Sequence, residues 1–380
     1  GKGTGVYRRK ERLMAGFTAV IIGAGALGRG FVAPLMARLG ARVVLVDRDE
    51  TLIRKLAGDI EAALYDGHGQ PTTFQLHDAT LYTLAEFQEH AMEVLNFDGN
   101  TVVFSACRPN PYPELARRWP HLQARWVILE NVPAIMDEVR DAQEGVKFHL
   151  GLADVLAVEP LRGGIVHAED PFMSTARLWI DDGVPLPGIG QDSPAVGVLS
   201  PDLLRARWAA RFVTHNTGHA VVGFLGARTG YTLVNEAVAD QQIADVVHQA
   251  MEEAKTALVA SPSMLRGLAQ GRVTYQMGAE VERAANHYLY TETIRYLRFQ
   301  PDTIERVARD LERKLARNER LVAPFLILME MGKDTPGLAT AIRAGLDLLD
   351  MPRAEALRSI CGLDPERDAR AWQVLMENEP

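Results

Sequence analysis

The spacing of hydrophobic and polar positions changes about half-way along the chain. In the first half, apolar residues form short runs or alternate with polar ones, as in β-strands, and Gly and Pro separate the runs. From about Ser200 onward they recur every three to four residues, which is the spacing of amphipathic helices. Because 380 residues exceed one compact core, the pattern predicts an α/β domain over residues 14–195 and an all-α domain over 196–380.

Four segments of the second half have the clearest helical spacing, and residues 302–331 are predicted to form one long helix. Residues 147–190 continue in strand-like segments that are rich in Pro and Gly, and we expect them to extend the sheet and lead into the helical domain. The four helical segments are LLRARWAARFV (203–213), VADQQIADVVHQAMEEAKTALVA (238–260), DTIERVARDLERKLARNERLVAPFLILMEM (302–331) and GLATAIRAGLDLLD (337–350).

The N-terminal stretch has two interpretations. Residues 7–28 place basic residues before an apolar run and small residues, as a signal peptide does. Alternatively, residues 1–13 are a leader or an added remnant, Met14 is the native start, and residues 17–22 are a buried strand. The second interpretation is favoured because the residues that follow keep the spacing of a nucleotide-binding unit.

Composition narrows the classes of partner. The formal net charge of −8 argues against nucleic acid, and no apolar run is long enough to span a bilayer. With only Cys107 and Cys361, a disulfide framework is not expected, and the cytoplasm is the predicted compartment. These features favour a small-molecule partner and a monomer or homodimer, with no membrane and no nucleic acid.

A glycine-rich turn joins the first strand to a helix and a second strand that ends at Asp47. This order and spacing predict a dinucleotide-binding, Rossmann-type domain, with the pyrophosphate at the helix N-terminus. We expect Asp47 to accept hydrogen bonds from the adenosine ribose and to repel a 2′-phosphate, which favours NAD over NADP. Arg48 follows and could soften that preference, or it is a solvated loop residue. The residues of the turn are Gly23, Gly25, Ala26, Leu27 and Gly28.

Two further strands should end at the same edge of the sheet. Ser105 and Ala106 close NTVVFSA, and Asn131 closes RWVILEN. Ligands of open parallel sheets lie beyond the carboxyl ends of the strands, so these three residues are predicted to line the nicotinamide. Cys107 is interpreted as a loop thiol near the cofactor.

Residues 211–219, RFVTHNTGH, place polar groups at the front of an apolar helix, where burial costs free energy unless each has a partner or a function. Together with other segments, they resemble the polyol-specific long-chain dehydrogenases, which include the mannitol-1-phosphate 5-dehydrogenases. The resemblance runs over nearly the whole chain from Met14. It implies NAD-linked alcohol–ketone interconversion without a metal, on a phosphorylated sugar. The segments that carry it are GAGALGRGF (23–31), ILEN (128–131), NTGHA (216–220) and ERVARDLERKLARNERLVAP (305–324).

The family's catalytic signature is a lysine, four residues, an asparagine, two residues and a histidine, and Asn216 and His219 match it. The resemblance implies that they hold the reacting oxygen. Arg211 stands where the family has its lysine base, and a guanidinium cannot readily accept a proton. Arg211 is therefore expected to bind an anion or polarise a carbonyl. His215 lies on the same helical stripe, and either His215 or His219 is predicted to transfer the proton, unless a local carbonyl simply satisfies His215.

A second departure and a basic stripe also bear on the substrate. Where the family has V-D-R-I, this chain has Ala157-Val158-Glu159-Pro160, with Arg162 displaced. On the predicted long helix, Arg306, Arg309, Arg313, Lys314 and Arg320 alternate with carboxylates, as on a solvated face. The resemblance instead places this segment at the active site, so the predicted substrate contacts are Arg309, Arg313, Lys314 and, in RAANHYL, Asn286.

The sequence therefore predicts an NAD(H)-dependent oxidoreductase that interconverts a secondary alcohol and a ketone on a small anionic, polyol-like substrate. Two alternatives stay open. One is a diverged reductase of a non-polyol ketone or keto acid, with Arg211 as a carboxylate clamp. The other is a catalytically weak protein that senses the cofactor or a sugar phosphate.

Overall fold

A computed structural model divides the chain into two compact units, Gly1–Leu204 and Arg205–Pro380. Asn131, predicted to line the nicotinamide, lies outside the described residues, as do residues 1–13. The structure describes residues 16–66, 69–77, 79–94, 100–107, 125–129, 147–172, 178–184, 186, 195–269, 273–299 and 302–377.

The described part of the first unit contains a large, mainly parallel sheet and a smaller second sheet. The large sheet has the order β12-β11-β8-β7-β6-β1-β2-β5, and the second has the order β4-β3-β10-β9. The strands are β1 (Thr18–Ile22), β2 (Arg42–Asp47), β3 (Ile60–Tyr65), β4 (Pro71–Leu76), β5 (Thr80–Thr83), β6 (Thr101–Ser105), β7 (Arg125–Ile128), β8 (Lys147–Ala153), β9 (Ala157–Val158), β10 (Val166–Glu169), β11 (Leu178–Asp181) and β12 (Val196–Leu199). The predicted extension of the sheet by residues 147–190 is thus present in β8 and β11, whereas β9 and β10 join the second sheet.

The central strand β1 pairs in parallel with β2 and β6, so the three strands end at one edge. Their ends are tied together by two backbone hydrogen bonds of 2.8 Å, from Gly23 N to Val46 O and from Ala106 N to Ile22 O. Gly23 has φ +112°, a conformation that side chains other than that of glycine strain to adopt. The predicted turn after the first strand is therefore built as a Rossmann-type turn.

The helix after β1 begins at Ala26, includes a π-helical turn, Gly28–Val32, and continues as α1 (Ala33–Arg38). A Cβ on Gly28 would lie 1.9 Å from the carbonyl oxygen of Gly23, so only glycine lets the helix approach the strand this closely. The unit also contains α2 (Glu50–Leu56) and α3 (Leu84–Val94).

The second unit is helical in all of its described part. Its helices are α4 (Pro201–Val213, which begins in the first unit), α5 (His215–Thr229), α6 (Val234–Ala239), α7 (Gln241–Ala260), α8 (Pro262–Ala269), α9 (Tyr275–His287), α10 (Thr293–Phe299), α11 (Ile304–Ala308), α12 (Leu311–Lys314), α13 (Val322–Glu330), α14 (Pro336–Asp347), α15 (Arg353–Ser359) and α16 (Ala369–Met376). A π-helical turn, Tyr288–Glu292, joins α9 to α10. None of the described helices is long and apolar enough to cross a membrane.

The α5 helix is packed on several sides, against α7, α11 and α14. Two of its glycines mark the closest approaches. A Cβ on Gly218 would lie 2.5 Å from Met251 Sδ, and one on Gly223 would lie 2.9 Å from Val307 Cγ1. The helix is thus held firmly from its first turn to its third.

The prediction of one long helix over residues 302–331 is wrong. Arg309 leaves the helical conformation (φ −57°, ψ 160°), and Asp310 is left-handed (φ 59°), which ends α11 before α12 begins. Aspartate tolerates this conformation better than most residues. A turn over residues 315–321 then separates α12 from α13. The predicted helix 238–260 is also divided, because the Asp240 side chain caps α7 by accepting from Gln242 N.

Candidate functional site

The glycine-rich turn leaves its backbone open on one side. A Cβ on Gly25 would meet nothing within 4 Å except the Arg162 guanidinium, at 4.0 Å. Ala26 and Leu27 form the first helical residues after Gly25, where backbone N–H groups have no helical partner. This geometry fits a phosphate group at the helix N-terminus.

Asp47 holds the turn in place. One carboxylate oxygen accepts from Ala24 N at 2.7 Å, and the other accepts from Asp49 N at 2.9 Å. The side chain is nearly buried, whereas Arg48 beside it is exposed. An acidic group thus stands at the end of β2, where an adenosine ribose would be recognised.

A network of charged side chains beside the turn was not predicted. Arg29 is 1% exposed; its Nε donates to Ala24 O at 2.6 Å, and it forms an ion pair with Glu159. Burial lowers the pKa of Arg29, while the charge of Glu159 opposes that effect. Arg162 contacts Glu159 at 3.2 Å and Asp49 at 3.2 Å, and its guanidinium lies 3.9 Å from Asp47. The displaced Arg162 therefore lies beside the glycine-rich turn.

At the end of β6, the Ser105 hydroxyl is buried and has no hydrogen-bond partner among the described residues. Ala106 and Cys107 follow at the same edge of the sheet, and both are partly exposed. An unsatisfied buried hydroxyl is costly unless a ligand or a water completes it. Ser105 therefore fits a position beside a bound ligand.

In the second unit, exposure singles out two residues. From Ala206 to Gly226 every side chain is buried except those of Asn216 and His219, which are partly exposed. These are the two residues that match the family's signature. The junction of α4 and α5 lies just before them, where the Thr214 hydroxyl donates to Ala210 O at 2.5 Å. Such back-bonding bends helices without ending them.

His215 lies deeper than its neighbours. It is 4% exposed, its Nδ1 lies 3.0 Å from Thr293 Oγ1, and its ring meets Tyr296 edge to face at 4.7 Å. Burial, and then the charge of Arg211, lower the pKa of His215 well below 6.5. A histidine that resists protonation is a weak proton acceptor, so its position weakens the prediction that His215 transfers the proton.

His219 faces a carboxylate that the sequence did not reveal. Its Nε2 lies 3.7 Å from Asp302 Oδ2, and Tyr296 meets its ring edge to face at 5.6 Å. Burial lowers the pKa of His219, and Asp302 opposes this. Burial alone would raise the pKa of Asp302, but Arg306 and His219 lower it well below its usual range. Asp302 therefore faces the imidazole of His219 and stays charged.

The structure separates the predicted substrate-binding residues. Arg309 is exposed, and Arg313 is half-exposed and bridges Asp310 (3.3 Å) and Glu319 (3.7 Å). Asn286 accepts a hydrogen bond from Lys255 at 3.1 Å. In contrast to these three, Lys314 turns inward.

Lys314 and Arg320 lie with Arg211 in a group of interacting cations. Lys314 donates to Val307 O, and the Arg320 guanidinium lies 4.7 Å from the centre of the Phe212 ring. Burial, and then the charges of Arg320 and Arg313, lower the pKa of Lys314 to about 8. Burial and the charges of Arg313 and Arg211 lower the pKa of Arg320, and the charge of Glu319 opposes this effect.

Comparison with solved structures supports the two-part fold. A D-sorbitol dehydrogenase in substrate-free form superposes with a TM-score of 0.62 at 14% identity, over 95% of this chain and 92% of that one. Mannitol 2-dehydrogenase of Pseudomonas fluorescens, in a ternary complex with NAD and D-mannitol, gives 0.58 at 16% identity, over 95% and 84%. The predicted α/β Rossmann-type and all-α parts are confirmed.

Sequence comparison points to the same class of enzyme. Residues 209–349 match the mannitol dehydrogenase C-terminal domain. Mannitol-1-phosphate 5-dehydrogenase of Arthrobacter sp. (strain FB24) is 29% identical over 89% of this chain and 88% of its own, and that of Bacillus velezensis is 26% identical over 90% and 91%. The chain therefore contains a mannitol dehydrogenase C-terminal domain and is similar over most of its length to mannitol-1-phosphate 5-dehydrogenases. It is an oxidoreductase that acts on CH–OH groups, and a nicotinamide cofactor fits its Rossmann-type unit.

Proposed function

We propose that this protein uses NAD(H) to interconvert a secondary alcohol and a ketone on a small anionic, polyol-like substrate, as a mannitol-1-phosphate 5-dehydrogenase does. The observation that carries this proposal is the exposure pattern of α4 and α5. Asn216 and His219 are the only partly exposed side chains of the buried stretch 206–226, and they are the two residues of the family's three-residue signature that this chain keeps.

The bound nicotinamide would supply the acceptor for a hydride. Asn216 and His219 would hold the substrate oxygen, the amide by donating and the imidazole through the nitrogen that faces away from Asp302. Arg211 stays charged at any physiological pH, so it would grip an anionic group or polarise the carbonyl.

An anionic substrate is supported by the electrostatics of the second unit. Burial, together with the nearby charges of Arg313 and Arg211, lowers the pKa of Arg320, and Glu319 opposes this. An anion bound between Arg211 and Arg320 would relieve the repulsion between these two charges and form charge-assisted hydrogen bonds. A phosphate or a carboxylate would serve equally on this argument.

The test is turnover of NADH with a panel of ketoses, ketose phosphates and keto acids. Activity on ketose phosphates above all others supports the proposal. Preference for keto acids would favour the second candidate, a reductase with Arg211 as a carboxylate clamp, which the replacement of the family's lysine by Arg211 suggests. Cofactor binding without turnover of any compound would indicate a sensor and overturn the proposal.

We expect NADH to bind more tightly than NADPH because the Asp47 carboxylate would repel a 2′-phosphate. Asp47→Asn keeps an acceptor for Ala24 N but removes the charge, so it should narrow the difference by roughly 5–30-fold, the factor that one to two kcal/mol gives. Binding titrations with both cofactors measure this, and Asp59→Asn, an exposed change in the same unit, is the control. Equal affinity of the wild type for both cofactors would contradict the prediction.

Arg211→Lys distinguishes two roles for Arg211 in the site. If the site has been rebuilt around a planar, forked cation, lysine should lower kcat/KM on the native substrate by about 1.5–3 kcal/mol of transition-state stabilisation. If Arg211 merely replaces the family's base, the same change should raise activity on mannitol 1-phosphate. We expect the loss. Arg228→Lys, an exposed change near the end of α5, controls for the substitution itself.

A further inference from the structure

Lys314 is folded back onto the helix that precedes it. The left-handed Asp310 separates α12 from α11, and Lys314 Nζ donates to Val307 O, near the end of α11. On a continuous helix, two residues seven apart would lie two turns from each other, about 10 Å along the axis. The break at Asp310 therefore sets the position of this amine.

The position of Val307 brings the Lys314 amine close to α5, the helix that carries Asn216 and His219. A Cβ on Gly223 would lie 3.2 Å from the carbonyl carbon of Val307, so α11 rests directly on α5 at this point. His219 lies one turn before Gly223 on the same face of α5. The charge of Lys314 is accordingly felt at His219, where it helps to lower the pKa of the imidazole.

We infer that Lys314 is the proton acceptor of the reaction and takes the place of the lysine that this chain lacks at position 211. The inference rests on the proposed function. In the oxidation direction the substrate O–H bond breaks and an Nζ–H bond forms on neutral Lys314. The electron pair of the broken O–H bond forms the second C–O bond of the ketone. The carbinol hydrogen leaves with the electron pair of its C–H bond, as the hydride that a bound nicotinamide would accept. In the reduction direction the ammonium returns the proton.

The chemistry of the alternatives supports this assignment. Arg211 cannot be deprotonated, and His215 is buried behind Thr293 and Tyr296. A neutral amine can keep its hydrogen bond to Val307 O and still offer one lone pair. Burial and the charges of Arg320, Arg313 and Arg306 lower the pKa of Lys314 to about 8, although the charge of Asp310 opposes them. This pKa is near the operating range of a general base.

The first test is the pH dependence of kcat and kcat/KM for the wild type, Lys314→Met and Lys314→Arg on the best substrate of the panel. Lys314→Met should lower kcat by roughly 10²–10⁴-fold, remove the ionisation near pH 8, and regain part of the rate when methylamine is added. Lys314→Arg keeps a cation and a donor for Val307 O, yet it should be similarly slow because it cannot accept a proton. Lys333→Met, at an exposed position, is the control.

The second test needs no turnover. Labelling of the cofactor-free protein with trace acetic anhydride at a series of pH values, followed by mass spectrometry, should show Lys314 half-reactive near pH 8. If the reactivity of Lys314 does not change around pH 8, or if Lys314→Met only raises KM and keeps the pH profile, the inference is overturned while the proposed function stands. If the wild type turns over no compound of the panel, the proposed function fails, and this inference fails with it.

Discussion

Replacing Asn216 with alanine is expected to lower kcat by roughly 10²–10³-fold, the usual cost of losing one preorganised donor to a reacting oxygen. Asn216 is one of two exposed side chains on an otherwise buried stretch, so few packing contacts depend on it. Alanine also favours the helical conformation, so α5 should be retained. The effect should therefore appear in the rate and not in the stability.

The measurement is kcat and KM for Asn216→Ala on the substrate that the panel identifies, together with a thermal unfolding curve. Gln249→Ala removes an exposed amide from the neighbouring helix α7 and serves as the matched control. A fall in kcat of less than about tenfold with an unchanged melting temperature would show that the amide does not contact the reacting oxygen.

Arg306→Met is expected to destabilise the protein by about 3–5 kcal/mol, more than Asp302→Asn does. Asp302 is 2% exposed, whereas 41% of the Arg306 side chain is exposed. Losing the arginine leaves a buried carboxylate that, among the residues the structure describes, keeps the Thr303 N–H and His219 beside it. Losing the charge of Asp302 instead leaves an arginine that can turn to solvent.

Urea unfolding at pH 7 measures both variants, and the double variant should recover part of the loss because it removes both charges. The pH dependence has a definite sign. The pKa of Asp302 is lowered by folding, so its contribution is present above the carboxyl's unfolded pKa and is lost as the pH falls towards the folded value. The cost of Arg306→Met should therefore shrink in acid. Equal costs for the two single variants at pH 7 would contradict this account.

Local patterns were sufficient to predict the fold. The turn from Gly23 to Gly28 has a spacing that is legible in the sequence, because each glycine meets a steric requirement within a few residues. The helical second half follows from apolar residues at three- and four-residue intervals, which the packing of α5, α7 and α14 satisfies. These features depend on neighbours along the chain.

The site was less predictable, because its decisive contacts join residues that are far apart in sequence. Asp302 lies 83 positions from His219, and Thr293 lies 78 positions from His215. No periodicity links such pairs. The helix break at Asp310 was missed for another reason: the apolar spacing continues through it, and a left-handed aspartate leaves no mark in a hydrophobic pattern.

The glycines of α5 bear on how this enzyme could acquire new substrates. Side chains at Gly218 or Gly223 would collide with Met251 or with Val307, which would shift the helix and move Asn216 and His219 with it. Laboratory evolution should therefore find few tolerated changes on α5. The segment 304–321, divided into short helices and turns with many exposed side chains, offers far more independent mutational freedom. Adaptive changes in specificity are expected to accumulate there.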